Sequence, residues 1–114
     1  MNHRHIIAIL RGITPNETVD VCKALIKAGA TGLKFFPAEV LGPKGIKAMK
    51  AVLPPDMPVY AVGGANPDNF GEYFAAGCTG FGLGTYIYKP GMDAAQVAER
   101  ATAAVAAYDA GKAQ

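Results

Sequence analysis

The sequence predicts an α/β fold with parallel strands. Four short apolar runs, each of a length typical of a buried strand, alternate with longer segments whose apolar residues recur at helical spacing. Glycine and proline, 14 and 8 in number, fall between these segments as loop signals. Strand–loop–helix units in succession imply parallel strands joined by right-handed helical crossovers.

Composition restricts the function classes. The chain has 114 residues, 51% hydrophobic and 18% charged, which suits one folded domain over residues 1–114. A net charge of +2 is too weak to indicate a nucleic acid or an anionic membrane as partner. No apolar run approaches the roughly 18 residues of a membrane span. The run at residues 6–10 is shorter than a typical signal-peptide core, so we expect a cytoplasmic protein. Cys22 and Cys78 form neither a disulfide framework nor a zinc pattern, so we expect reduced, partly buried thiols.

The first half of the chain contains two units. The first strand covers residues 6–10, and its helix begins near Thr14, which can act as the N-cap with Glu17 completing a capping box. The second strand covers residues 32–36 and is ended by Pro37. Its helix is predicted to open at residues 42–43.

Two further units follow. The third has a strand at residues 59–62 and a helix from about residue 66 to residue 76, and the fourth strand covers residues 80–83. Asp93 and Gln96 predict a capping box at the start of the last helix, and residues 111–114 are expected to be a frayed tail. The apolar stripe expected on that helix comprises Val97, Ala101, Ala104, Val105 and Tyr108.

Lys34 lies in a strand that otherwise looks wholly buried. Burial of an ammonium group favours the neutral amine, which attacks carbonyls and forms Schiff bases. Alternation along the strand places Lys34 and Phe36 on one face, near the carboxyl end where α/β folds bind ligands. An edge-strand lysine that keeps its solvent contact explains the pattern equally well, and both interpretations stay open.

Two features suit an anion. Arg11 follows the first strand, where a guanidinium can hold a carboxylate or phosphate, although an ordinary solvated arginine fits as well. Gly63 and Gly64 follow the third strand, and Gly84 and Thr85 follow the fourth. Glycine lets backbone N–H groups approach a phosphate, but tight turns also use it.

Weaker candidates are Glu39 and the histidines. Glu39 is placed for acid–base work beside Lys34 if its loop folds inward, but a surface carboxylate is the commoner case. His3 and His5 are too few ligands for a metal site.

Taken together, these segments resemble the 2-keto-3-deoxy-6-phosphogluconate and -6-phosphogalactonate aldolases. The similar segments are residues 7–15 (IAILRGITP), 33–39 (LKFFPAE), 62–64 (VGG) and 80–85 (GFGLGT), within a match over residues 6–110. The ending YKPG at residues 88–91 favours the phosphogalactonate branch. The resemblance implies a Schiff-base aldolase that cleaves the 2-dehydro-3-deoxy-6-phospho sugar acid to pyruvate and glyceraldehyde 3-phosphate without a metal or other cofactor.

The resemblance also implies roles for individual residues. Lys34 would trap pyruvate as an imine, and Arg11 would lie near the bound substrate. Backbone groups of Gly63, Gly64, Gly84 and Thr85 would bind the phosphate. Small-molecule substrates are the expected partners, with no nucleic acid and no membrane.

The chain departs from the family in its length. The family forms (β/α)₈ barrels, which usually need roughly 200 residues or more, whereas here the first unit joins directly to what resembles the last three. This implies a TIM-barrel-derived (β/α)₄ half-barrel with four parallel strands and helices on one face, without the family's acid–base glutamate on its second strand.

A half-barrel of this kind is expected to form a homo-oligomer. Units six, seven, eight and one are consecutive in a barrel, so we expect the first strand to lie beside the fourth. The first strand of one chain would then meet the Lys34 strand of another. The alternatives are a non-catalytic phosphate-binding half-barrel, in which Lys34 at most binds phosphate, or an inactive fragment.

Overall fold

The computed structural model describes residues 5–11 and 15–113, and these form four strands and four helices in alternation. The strands are β1 (Ile7–Arg11), β2 (Gly32–Phe36), β3 (Val59–Val62) and β4 (Gly80–Gly82). The helices are α1 (Pro15–Ala28), α2 (Ala38–Val52), α3 (Phe70–Ala76) and α4 (Ala94–Lys112). Neighbouring strands run parallel, so the predicted α/β architecture is confirmed.

The strand order corrects one expectation. The sheet runs β1-β2-β3-β4, so β1 lies beside the Lys34 strand of its own chain and not beside β4. Ile9 is paired with Lys34, and Arg11 with Phe36. A single helix, α1, connects these strands, and one helical crossover brings the chain to the neighbouring position in the sheet.

Two equivalent threonines form hydrogen bonds between adjacent strands at the amino ends of those strands. The Thr31 hydroxyl accepts a hydrogen bond from the Ile6 N–H at 3.0 Å and donates to the Ile6 carbonyl at 2.9 Å. The Thr79 hydroxyl accepts a bond from the Val59 N–H, also at 3.0 Å. Each threonine lies two residues after a helix-ending glycine, within the similar segments 28–33 (AGATGL) and 76–81 (AGCTGF), so these two segments make the same junction.

Helices cover one face of the sheet. The strand residues on that face are buried, including Leu33, Phe35, Val59 and Ala61. The core continues into the helices through Cys22 and Ile46 among others. The opposite face is open: Ile7 and Ile9 are 47% and 56% exposed. The expected half-barrel with helices on one face is therefore confirmed.

Lys34 lies in the middle of the open face. Pairing aligns it with Ile9 on one side and Tyr60 on the other, and Tyr60 is aligned with Gly80. A methyl group added at Gly32 or Gly80 would lie 3.2 or 3.3 Å from the Tyr60 ring. The tyrosine therefore fills the space that side chains on β2 and β4 would otherwise occupy.

Two helix starts differ from prediction. Helix α2 begins at Ala38, and the predicted start at Gly42 is a kink where φ is +72° before Pro43. Helix α3 begins at Phe70, because the preceding asparagines form a separate turn. Strand β4 ends one residue before the prediction, at Gly82.

Helix α4 has the predicted N-terminal capping box, but its buried stripe differs from the prediction. The Asp93 carboxylate accepts a bond from the Gln96 N–H at 2.8 Å, and the Gln96 side chain accepts from the Asp93 N–H at 2.9 Å. Val105 is 61% exposed, so it does not belong to the inner stripe. The helix continues to Lys112, so the expected frayed tail is wrong up to that residue. The predicted Thr14 cap lies outside the described residues.

Candidate active site

A cavity of about 540 Å³ opens at the carboxyl ends of β3 and β4. It brings together the predicted phosphate-loop residues. Its lining comprises Phe36, Glu39, Val62, Gly63, Gly64, Ala65, Asn66, Gly82, Gly84, Thr85, Tyr86, Lys89 and Arg100. The carboxyl edge of a parallel sheet is where ligands bind in such folds.

The turn after β3 requires glycine. Gly63 and Gly64 have φ of +98° and +77°, which L side chains rarely adopt. A Cβ on Gly63 would lie 3.0 Å from the Pro37 Cα, and one on Gly64 would lie 2.6 Å from a carboxylate oxygen of Glu39. The turn therefore packs directly against the start of α2.

Two asparagines hold this turn in place. The Asn69 side-chain amide donates to the Gly64 carbonyl oxygen at 2.8 Å, and the Asn66 amide reaches it at 3.4 Å. The Asn69 side-chain oxygen also accepts from the Asn66 N–H at 3.0 Å. Because the Gly64 carbonyl is fixed, the orientation of its peptide is fixed as well.

The turn after β4 presents backbone donors. The Gly84 carbonyl accepts bonds from the N–H groups of Ile87 and Tyr88, at 3.1 and 3.0 Å, which closes one helix-like turn. No acceptor among the described residues bonds to the N–H groups of Gly64, Gly84 or Thr85. Free N–H groups at a helical turn are suited to an anion.

Arg100 was not predicted from the sequence, yet it lines the same cavity. Its Nη1 donates to the Tyr86 carbonyl at 3.1 Å, and its guanidinium carbon lies 4.9 Å from the centroid of the Tyr86 ring. The available signal was its place in the second turn of α4, directly after the loop that follows β4. On that exposed helix surface it resembles any solvated charge.

The charge of the lining favours an anion weakly. Arg100 and Lys89 contribute two positive charges, and Glu39 opposes them with one negative charge. The Glu39 side chain lies against Gly64, so an anion on that turn would meet a carboxylate. The cationic side of the cavity is therefore its β4 side, where Tyr86 fixes the arginine.

Lys34 lies near this cavity but does not line it. Phe36, two residues further along the same strand face, does. The lysine is half-buried, and its amine makes no hydrogen bond or ion pair with the described residues. Lys34 therefore lies on the same open sheet face as Phe36, two residues further from the carboxyl edge where the cavity opens.

Arg11 is exposed and lies on the neighbouring strand. Its guanidinium carbon is 4.7 Å from the centroid of the Phe36 ring, a cation–π contact. It does not line the cavity in the described structure. His5 is exposed, His3 lies outside the described residues, and the described part of the chain holds no cluster of three or more potential metal ligands.

The two thiols are not candidate nucleophiles. Cys22 and Cys78 are free and buried, and burial raises the pKa of each from 9.0 to about 11. For Cys78 the nearby Lys50 ammonium partly offsets this rise. Thiolates are therefore scarce at neutral pH. Within residues 5–11 and 15–113, no helix combines the length and apolar character needed to cross a membrane.

The fold, with its cavity at the carboxyl edge of a four-stranded parallel sheet, defines one half of a β/α barrel. The sequence profile described as "Aldolase: KDPG and KHG aldolase" matches residues 2–106. The chain therefore belongs to the KDPG and KHG aldolase family.

Similar proteins agree with this assignment. A protein of Rhizobium meliloti (strain 1021), named probable 2-dehydro-3-deoxy-6-phosphogalactonate aldolase, is 56% identical over 97 residues, which is 85% of this chain and 44% of that protein. The 2-dehydro-3-deoxy-6-phosphogalactonate aldolase of Escherichia coli (strain K12) is 48% identical over 83 residues, covering 73% of this chain and 40% of that one. A solved structure described as "Native KDPGal structure" has a TM-score of 0.81 and 40% identity, covering 93% of this chain and 50% of its own. The chain thus spans less than half the length of these curated relatives.

Proposed function

We propose that this chain is a Schiff-base lyase of the 2-dehydro-3-deoxy-6-phospho sugar acids, with Lys34 as the imine-forming amine. Its domain is residues 1–114, a single truncated (β/α) aldolase-like domain that joins a first strand–helix unit to the family's last three. The observation that carries the proposal is the arrangement of the open sheet face. Lys34 and Phe36 share it, and Phe36 borders the cavity that Gly63, Gly64, Gly84 and Thr85 help to form.

The proposed reaction uses this arrangement directly. The Lys34 amine attacks the keto carbon of the substrate and water leaves, which gives a protonated imine. Cleavage of the C3–C4 bond releases the phosphorylated aldehyde and leaves its electron pair on the imine as an enamine. Protonation of the enamine and hydrolysis release pyruvate and restore the amine.

The phosphate is proposed to bind at the β4 side of the cavity. There the free N–H groups of Gly84 and Thr85 lie in the same lining as the Arg100 guanidinium. Charge-assisted bonds to a phosphate are stronger than neutral ones. Glu39 is proposed to accept the proton of the sugar hydroxyl, since it is a carboxylate on the opposite side of the same cavity.

The choice between phosphogalactonate and phosphogluconate is proposed from the named relatives, which favour phosphogalactonate. We further propose a cytoplasmic location, because the buried thiols are free. Arg11 is proposed to contact the substrate from the neighbouring strand.

Reductive trapping tests the proposal. Borohydride in the presence of pyruvate should reduce the imine and add the mass of the reduced adduct to the intact protein. Lys34→Arg keeps the positive charge but cannot form an imine, so it should gain nothing. A wild-type chain that binds phosphate but gains no mass would support the non-catalytic phosphate-binding half-barrel instead.

A further inference from the structure

The folded chain exposes more surface than its size requires. Its accessible surface is 7088 Å², whereas a compact monomer of 11.8 kDa is expected to expose roughly 5,900 Å². Its radius of gyration is 14.7 Å, against roughly 13 Å for a compact domain of this length. The excess of about 1,200 Å² exceeds the roughly 800 Å² that each partner buries in a standard interface.

The first exposed region is the β1 edge of the sheet. Ile6, Ile7 and Ile9 are 56%, 47% and 56% exposed, and β1 has no neighbour on its outer side. Strand β1 contains no proline, and its one charge, Arg11, lies at the carboxyl end, so residues 7–10 lack the features that usually protect the edge strand of a monomer.

The second exposed region is the β4 edge. An apolar groove of about 490 Å³ lies there, and Leu83, Ile87, Ala101, Val105 and Tyr108 contribute to its lining. The groove runs from the edge strand to α4, so it is open where a further β/α unit would pack in a barrel. Strand β4 likewise has no outer neighbour and no charged residue.

We propose that a second copy of this chain occupies both regions, with β4 of each copy against β1 of the other. Around the barrel, the four strands of one copy, β1 to β4, are followed by the four strands of the other in the same order. The last strand then meets the first, so eight parallel strands close around a two-fold axis. Eight strands enclose an interior that side chains fill, so the exposed isoleucines become core. Each contact occurs twice, which halts assembly at two copies.

This pairing also completes the anion cavity. The carboxyl ends of all eight strands lie at one rim, so Arg11 at the end of β1 comes beside the loop that follows β4 of the second copy. In the single chain Arg11 does not line the cavity that this loop helps to form. Each cavity is therefore built from both copies.

Sedimentation velocity without any ligand tests the proposal over a wide range of concentration. The wild-type chain should sediment as a species of twice 11.8 kDa. Val105→Glu should raise the dimer dissociation constant on the order of a hundredfold or more, because it places an unpaired charge in the buried groove. Val40→Glu is the matched control, since Val40 is 78% exposed on α2 and lies outside both regions.

Two further measurements keep the result decisive. If Val105→Glu loses its native far-ultraviolet dichroism, Ile7→Lys replaces it, because Ile7 is already 47% exposed in the single chain. Amide hydrogen exchange should slow at β1 and β4 as the dimer forms. A wild-type monomer, a larger assembly, or a dimer that neither variant weakens would overturn the proposal. These readouts need no turnover, so failure of pyruvate trapping leaves them unaffected.

Discussion

The Arg100 guanidinium lies over the ring of Tyr86. The guanidinium carbon lies 4.9 Å from the ring centroid, and Nη1 donates to the carbonyl oxygen of the same tyrosine at 3.1 Å. Tyr86 therefore contacts the guanidinium through both its ring and its carbonyl oxygen, which holds the cation in position. Because Arg100 and Tyr86 both line the cavity, the positive charge is positioned before any anion arrives.

Removing this cation should weaken anion binding. We predict that Arg100→Ala raises the dissociation constant for inorganic phosphate about tenfold, because a charge-assisted bond in a partly exposed site is lost. Isothermal titration calorimetry measures this dissociation constant. Lys112→Ala is the control, since Lys112 lies over Phe74 and away from the cavity lining. Equal effects of the two variants would show that only net charge matters.

Glu39 should oppose the phosphate and assist the chemistry. We predict that Glu39→Gln binds inorganic phosphate several-fold more tightly at low salt, because a carboxylate that lines the cavity becomes neutral. The same variant should lower the rate of sugar-acid cleavage by about 10²-fold or more if Glu39 is the proposed base. Tighter phosphate binding with an unchanged cleavage rate would assign the base elsewhere.

The turn after β3 should not tolerate a side chain. Gly64→Ala combines a φ of +77° with a Cβ only 2.6 Å from Glu39, so we predict a loss of about 1–3 kcal/mol in the free energy of unfolding. Gly71→Ala is the matched control in α3, where a Cβ meets nothing within 4 Å. It should stabilise by up to about 1 kcal/mol. Urea unfolding measures the free energy of unfolding of both variants. Similar values for Gly64→Ala and Gly71→Ala would contradict the positive φ and close packing described at Gly64.

The buried thiols should be inert at neutral pH. Burial raises the pKa of Cys22 and Cys78 to about 11, so we predict very slow alkylation by iodoacetamide at pH 8 and rapid alkylation in urea. A raised thiol pKa stabilises the folded state fully below pH 9. That contribution is lost as the pH rises from 9 to 11. Fast alkylation of the native protein at pH 8 would show that the thiols are accessible.

Local features of the fold were predictable from the sequence. The strand at residues 32–36 and the Asp93–Gln96 capping box follow from neighbouring residues alone, and both are confirmed. The glycines of the β3 and β4 turns were also predicted at the cavity, because their place after a strand depends only on local order.

Other features depend on distant residues and were not predictable. Nothing local to residues 6–10 specifies whether β1 joins β2 or β4, and the inference from barrel order gave the wrong neighbour. The late start of α3 is local but follows from side-chain bonds that the pattern of residue types does not specify, those of Asn69 to the Asn66 N–H and to the Gly64 carbonyl. Arg100 reaches the cavity only because α4 folds back over the loop at Tyr86.

Peptide mapping of the protein reduced by borohydride with pyruvate identifies the amine that forms the imine. Lys34 and Lys89 are the competing amines, since Lys34 lies on the open sheet face and Lys89 lines the cavity itself. We predict the adduct on the peptide that contains Lys34, with Lys89 unmodified. An adduct on Lys89, or spread over the surface lysines, would contradict it.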